Sequence, residues 1–193
     1  MGDLIPLRSP RQREEKTASL GMIIFLASWV MLFASLFFIY GGLRSIAPAW
    51  PPADLPRLPL ALPGLNLAIV AFSSLSLQLG LSAVRSGSTQ RVAPLLGFAT
   101  LLGAVFMVLQ IVVWQDLYFR GLHPNTGTYA SVFYALTFFH ALHVVIGLFA
   151  LAWLTVRARL STPARHTTLR LWTSYWHFVG IVWAAMYVSV YVL

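Results

Sequence analysis

Five stretches of twenty or more residues carry no Lys, Arg, Asp or Glu in their middle, in a chain of only 193 residues. They cover about residues 20–43, 65–84, 94–118, 129–156 and 171–193. The hydrocarbon core of a bilayer, about 30 Å thick, is crossed by roughly 20 apolar residues rising ~1.5 Å each. A helix is the open-ended element that satisfies all its own backbone N–H and C=O groups in lipid. The expected fold is therefore all-α: a polytopic bundle of five transmembrane helices over residues 20–193, preceded by a polar tail over residues 1–19. Charged residues make up 9% of the chain and hydrophobic ones 59%. An ordinary soluble domain is about 25% charged, so no water-soluble domain of any size is expected.

The connections are short and punctuated. Residues 47–63 are Pro-rich, with Trp50-Pro51-Pro52, and cannot be helical throughout. Residues 85–91 form a polar turn with Gly87, residues 119–128 contain Gly121, Pro124 and Gly127, and residues 157–170 are basic with a break at Pro163. The segment at 20–43 is too long for a signal-peptide core of about 7–15 residues, so it reads as the first membrane helix, not a cleaved leader.

The net charge of +8 would suggest nucleic acid in a soluble protein. Here topology explains it. Ten of the thirteen basic residues fall in the tail and in the second and fourth loops (Arg8 to Lys16, Arg85, Arg91, and Arg157 to Arg170), leaving Arg44, Arg57 and Arg120 on the other side. Cytoplasmic loops carry the Lys/Arg excess. The N-terminus is thus expected inside and the C-terminus outside, and no nucleic-acid partner is implied. The absence of cysteine excludes disulfides, thiolate metal sites and iron–sulfur clusters.

His140 and His143 stand three residues apart on one face of the fourth span. Ionisable groups within a membrane are costly and are functional candidates for that reason. One reading is a metal or haem site. The other is a pair of neutral imidazoles knitting helices together. A metal site would want a third ligand, and His177 is the other His within a span. Tyr129, Phe133, Leu136, His140, His143 and Gly147 recur at steps of 4, 3, 4, 3 and 4, the seam of a packed helix. Trp172, Tyr175, Trp176 and His177 open the fifth span and fit an interfacial aromatic girdle. Gly180, Ala184 and Ala185 permit close helix approach there. Trp29, Asn66, Gln78 and Gln110 are the remaining candidates within spans, most simply as interhelical hydrogen-bonding groups. No nucleotide loop, nucleophile elbow, paired carboxylates or zinc-protease motif occurs.

The segments in order resemble subunit III of the haem–copper respiratory oxidases, the cytochrome c oxidase subunit III family, over nearly all of the chain after residue 19. The resemblance is carried by Gly21-Met22-Ile23-Ile24-Phe25-Leu26-Ala27-Ser28, by Trp50-Pro51-Pro52 followed by Leu65-Asn66, and by Leu109-Gln110 with Trp114. It continues through Tyr129, Ser131, Phe133 and the run Thr137-Phe138-Phe139-His140-Ala141-Leu142-His143-Val144. Most specific is Tyr175-Trp176-His177-Phe178-Val179 with Val182-Trp183. The chain looks like the five-helix form of bacterial members.

The resemblance implies a non-catalytic accessory subunit in aerobic respiratory electron transport. It would bind no haem or copper itself and carry no catalytic, cofactor or metal site. Haem and copper are expected in the partners, subunits I and II, and structural phospholipids beside this chain. The hetero-oligomer would lie in the bacterial inner membrane, oxidising cytochrome c, reducing oxygen and pumping protons. This subunit would support stability, lipid binding and proton uptake. By matching positions, Trp29, Asn66, Gln110, His140, His143, Tyr175, Trp176, His177 and Trp183 are the candidates for lipid or subunit packing. The family's acids are replaced by Trp29, Val113 and Gly180, a Glu by Arg170 and a His by Gln78, so a role resting on those acids does not carry over. The alternatives are the related accessory protein of a nitric oxide reductase or quinol oxidase and, from another class, a stand-alone membrane metalloprotein or carrier.

Overall fold

The computed structural model describes residues 10–160 and 166–193. Pro163, Arg8 and Arg165 lie outside the described residues. Five helices follow one another: α1 Pro10–Ile46, α2 Ala61–Arg85, α3 Val92–Phe119, α4 Thr128–Arg159 and α5 His166–Met186. A 3₁₀ turn, Thr89–Arg91, leads into α3, and the π-helical turn Tyr187–Val192 continues α5. All five are long and apolar enough to cross a membrane. No strand occurs among the described residues.

The helices outrun the apolar stretches by one to ten residues at their polar ends. The extension is longest in α1, which starts at Pro10. Proline is tolerated in a first helical turn, where its missing N–H has no intrahelical partner to lose, and the Gln-Arg-Glu-Glu-Lys-Thr-Ala run behind it consists mainly of strong helix formers. Pro63 and Pro94 are the third residues of α2 and α3, still within the first turn.

Two helix ends are closed by glycine. Gly87, at φ +75°, and Gly121, at φ +90°, adopt the left-handed conformation just past α2 and α3. In each case the following residue returns a bond into the last turn: Ser88 N–H to the Ala83 carbonyl at 2.9 Å, and Leu122 N–H to the Leu117 carbonyl at 3.0 Å. This is the Schellman arrangement, which satisfies carbonyls that a helix end leaves open. The loop beyond α3 is then held to α4 by Tyr134, whose hydroxyl donates to the Leu122 carbonyl at 2.8 Å.

Helix α2 packs on α3 and α5, α3 on α4, and α4 on α5, closing a four-helix ring. Helix α1 lies outside it, against α5 and α4. Only 6% of its apolar stretch is buried within the chain, against 33–50% for the other four. At one end of the bundle Arg170 donates to the Ser19 hydroxyl at 3.0 Å and Arg85 to the His166 ring at 3.1 Å. At the other end Arg44 donates to the Leu193 carbonyl, and Trp50 donates to the Tyr40 hydroxyl at 3.1 Å while standing edge-on to Tyr129.

Candidate functional site

The seam of α4 points into the molecule. Tyr129, Phe133, Leu136, His140, His143 and Gly147 are all buried. Three groups of side chains meet it at successive levels.

At the Gly147 level the indole of Trp176 fills a slot between α3 and α4. A methyl group added at Gly147 would meet the Trp176 ring at 2.8 Å, and one added at Gly103 would meet it at 2.8 Å and the Leu148 side chain at 2.7 Å. Such separations are closer than packed carbon atoms approach, so the slot exists because both positions lack a side chain. The indole N–H of Trp176 donates to the Ser73 hydroxyl on α2 at 3.0 Å, and Ser73 donates to the Ala99 carbonyl on α3 at 2.9 Å. One α5 side chain thus touches α2, α3 and α4.

At the His143 level, Trp29 of α1 stands edge-on to the imidazole, at 87° between planes, and Phe33 lies 5.1 Å away, centroid to centroid. The His143 Nδ1 hydrogen bonds to the Phe139 carbonyl, one turn back on its own helix. Because that carbonyl can only accept, Nδ1 carries the proton, and Nε2 is left as an acceptor with no partner among the described residues. The Tyr175 hydroxyl donates to the His143 backbone carbonyl at 3.0 Å, and the Tyr175 ring stacks on Phe25 of α1. This level joins α1 to α4 and α5.

At the His140 level the imidazole stacks on Trp183 of α5, 5.3 Å between centroids and 28° between planes, with Phe106 of α3 and Phe33 of α1 edge-on at 6.0 and 6.2 Å. Neither ring nitrogen has a partner among the described residues. Asn66 reaches the Phe106 carbonyl at 3.5 Å, the limit of a hydrogen bond, and Gln110 lies one turn further along α3.

His177 does not join the other two. It lies on the flank of α5 that faces α2, half-buried, with Nε2 3.5 Å from the Gln78 side-chain oxygen, beside a shallow groove lined by Val70, Ser74 and Gly180. Trp29 covers His143, Val113 is fully buried on α3, and Gly180 borders that groove. Among the described residues, no three His, Cys, Asp or Glu side chains come together as a metal-binding group.

Ser73, Gly103, Phe33 and Tyr191 belong to this interior and were not singled out by sequence. Gly103 sits at a small-residue position in an apolar helix, a signal for close helix approach that could have drawn attention to it. Nothing in the sequence marks Ser73 as the partner of a tryptophan 103 residues away.

Fold and interior together define a polytopic helical membrane protein whose buried imidazoles, on α4, are packed among aromatic rings from three other helices. The sequence model of the cytochrome c oxidase subunit III family matches residues 12–193. Cytochrome c oxidase subunit 3 of Synechocystis sp. is 35% identical over 176 residues, 90% of this chain and 74% of that protein. The probable cytochrome c oxidase subunit 3 of Nocardia farcinica is 35% identical over 194 residues, 98% of this chain and 95% of its own length, and that of Mycobacterium tuberculosis matches to the same extent. The chain belongs to the cytochrome c oxidase subunit III family, which makes it an accessory subunit within a multi-subunit haem–copper oxidase.

Proposed function

We propose that this chain serves a bacterial terminal oxidase that takes electrons from cytochrome c, as a scaffold seated beside catalytic subunit I and its copper-bearing partner, subunit II. The match to the subunit III family over residues 12–193 carries this reading. Haem, copper and the chemistry of oxygen reduction belong to the partners. This subunit contributes a braced bundle: the Trp176 slot holds the four-helix ring, and the rings around His143 fix α1 to it. A groove of about 630 Å³ between α3 and α4, lined by Ile111, Trp114, Tyr134 and Phe138, is apolar and offers a seat for a phospholipid acyl chain. The basic excess on one set of loops supports an N-terminus in the cytoplasm and a C-terminus on the outer side of the inner membrane.

Purification of the native complex through an affinity tag on this chain tests the reading. Co-purification of a haem-bearing subunit at fixed stoichiometry is the expected result, and recovery of the chain without one contradicts it. In the same complex, His143→Ala is expected to leave the haem absorbance bands unchanged while loosening subunit attachment or shortening the number of turnovers before inactivation. Loss of a haem band instead would mean that the imidazole serves the redox centre.

A further inference from the structure

We propose that Asn66, Gln110, His140, Trp183 and Tyr191 enclose a site for structural water inside the bundle. Seven polar atoms of these five side chains are buried and have no hydrogen-bond partner among the described residues: Asn66 Oδ1, both amide atoms of Gln110, both ring nitrogens of His140, Trp183 Nε1 and the Tyr191 hydroxyl. They lie close together. His140 stacks on Trp183, Trp183 contacts Tyr191 at 6.1 Å between centroids, and Phe106 lies edge-on to both His140 and Trp183. Asn66 is held at the Phe106 carbonyl, and the Tyr191 hydroxyl faces the Gln110 amide without reaching hydrogen-bond geometry.

The chemistry of the set identifies its occupant. Trp183 Nε1 can only donate and Asn66 Oδ1 can only accept; the Gln110 amide, the neutral imidazole and the phenol each offer both functions. The five side chains carry no formal negative charge, and the indole N–H cannot ligate a cation. A lone anion would face the two amide oxygens and lose its hydration within an apolar bundle, which is prohibitive without a paired charge. Water matches a neutral set of mixed donors and acceptors. A buried water typically makes about three hydrogen bonds, so about two or three molecules would serve all seven atoms. Trp183 covers one face of the His140 ring, and both nitrogens lie on the ring edge, where the water would meet them. With the atoms closed off from the surface, neither a lipid nor a partner's side chain can substitute.

The test uses the whole oxidase complex. Its cryo-EM map, at a resolution that shows ordered water, is expected to contain peaks within hydrogen-bond distance of at least two of the named atoms. Trp183→Phe and Tyr191→Phe keep the ring packing and should each remove the peak nearest the lost polar atom. Side chains paired directly with one another and no intervening peak would overturn the proposal, as would a bromide ion at this place in complex prepared with bromide. Radiolytic footprinting gives a second readout, because hydroxyl radicals arise from bound water. Oxidation of Trp183 several-fold above that of Trp176, equally buried but paired with Ser73, is expected; equal oxidation would count against the site.

Discussion

The ring of α2 to α5 and the outlying α1 are all apolar enough to cross a membrane, yet they use their apolar surface in opposite ways. In the ring, small residues let large ones reach across: Gly103 and Gly147 admit Trp176, and Ser73 receives its N–H. In α1 most side chains of the membrane stretch point away from the rest of the chain, Phe38 being 82% exposed, and its contact with the middle of the ring is a short aromatic patch at Phe25, Trp29 and Phe33, with Ser19, Tyr40 and Arg44 tying down its ends. Lipid tails are as apolar as leucine, so burial inside a membrane protein is driven by close packing and hydrogen bonding. Hydrophobicity alone does not distinguish a helix that holds the fold from one that faces lipid or another subunit.

The contrast can be broken most directly at its centre. Trp176→Ala empties the slot between Gly103 and Gly147 and leaves Ser73 without its donor; truncations of this kind cost about 3–5 kcal/mol. Loss of the subunit from the purified complex at a lower detergent or denaturant concentration would register it. Gly147→Ala is expected to cost about 1–3 kcal/mol, the range for overpacking a filled core, and a Trp176→Phe background should relieve part of the loss because the smaller ring gives way. Ser73→Ala removes the acceptor of the indole and should cost about 1 kcal/mol, visible as a small shift in the unfolding midpoint in detergent. At the far end of the scale, Phe38→Ala in α1 should shift the midpoint of the isolated chain by less than about 0.5 kcal/mol, as for an exposed site. If the same substitution loosens the assembled oxidase, that face of α1 is covered by a neighbour; if it does not, lipid covers it.

The spans were legible in the sequence because a bilayer sets their length, and the orientation of α4 was legible because the 4-3 spacing of Tyr129 to Gly147 fixes one face. Gly87 and Gly121 likewise stood out as turn residues before their left-handed conformations were seen. The Trp172 to His177 cluster read equally well as an interfacial girdle, whereas Trp176 is a fully buried wedge and His177 lies on a different flank. That distinction depends on which helix stands opposite, which one helix's pattern does not contain. The same holds for Trp29. A tryptophan in an apolar run gives no sign that it stands edge-on to an imidazole more than a hundred residues away, or that α1 otherwise leans so lightly on the ring.

The reach of α1 has a consequence of its own. Its 37 residues make a rod about 55 Å long at ~1.5 Å per residue, nearly twice the depth of the oily layer it crosses. Some 25 Å of it must therefore stand among headgroups and in water, with the charged turns before Leu20 forming most of that mast. A spin label at Gln12 would meet a water-borne quencher while one at Ile24 meets dissolved oxygen, making the helix a ruler for how deeply the whole subunit sits.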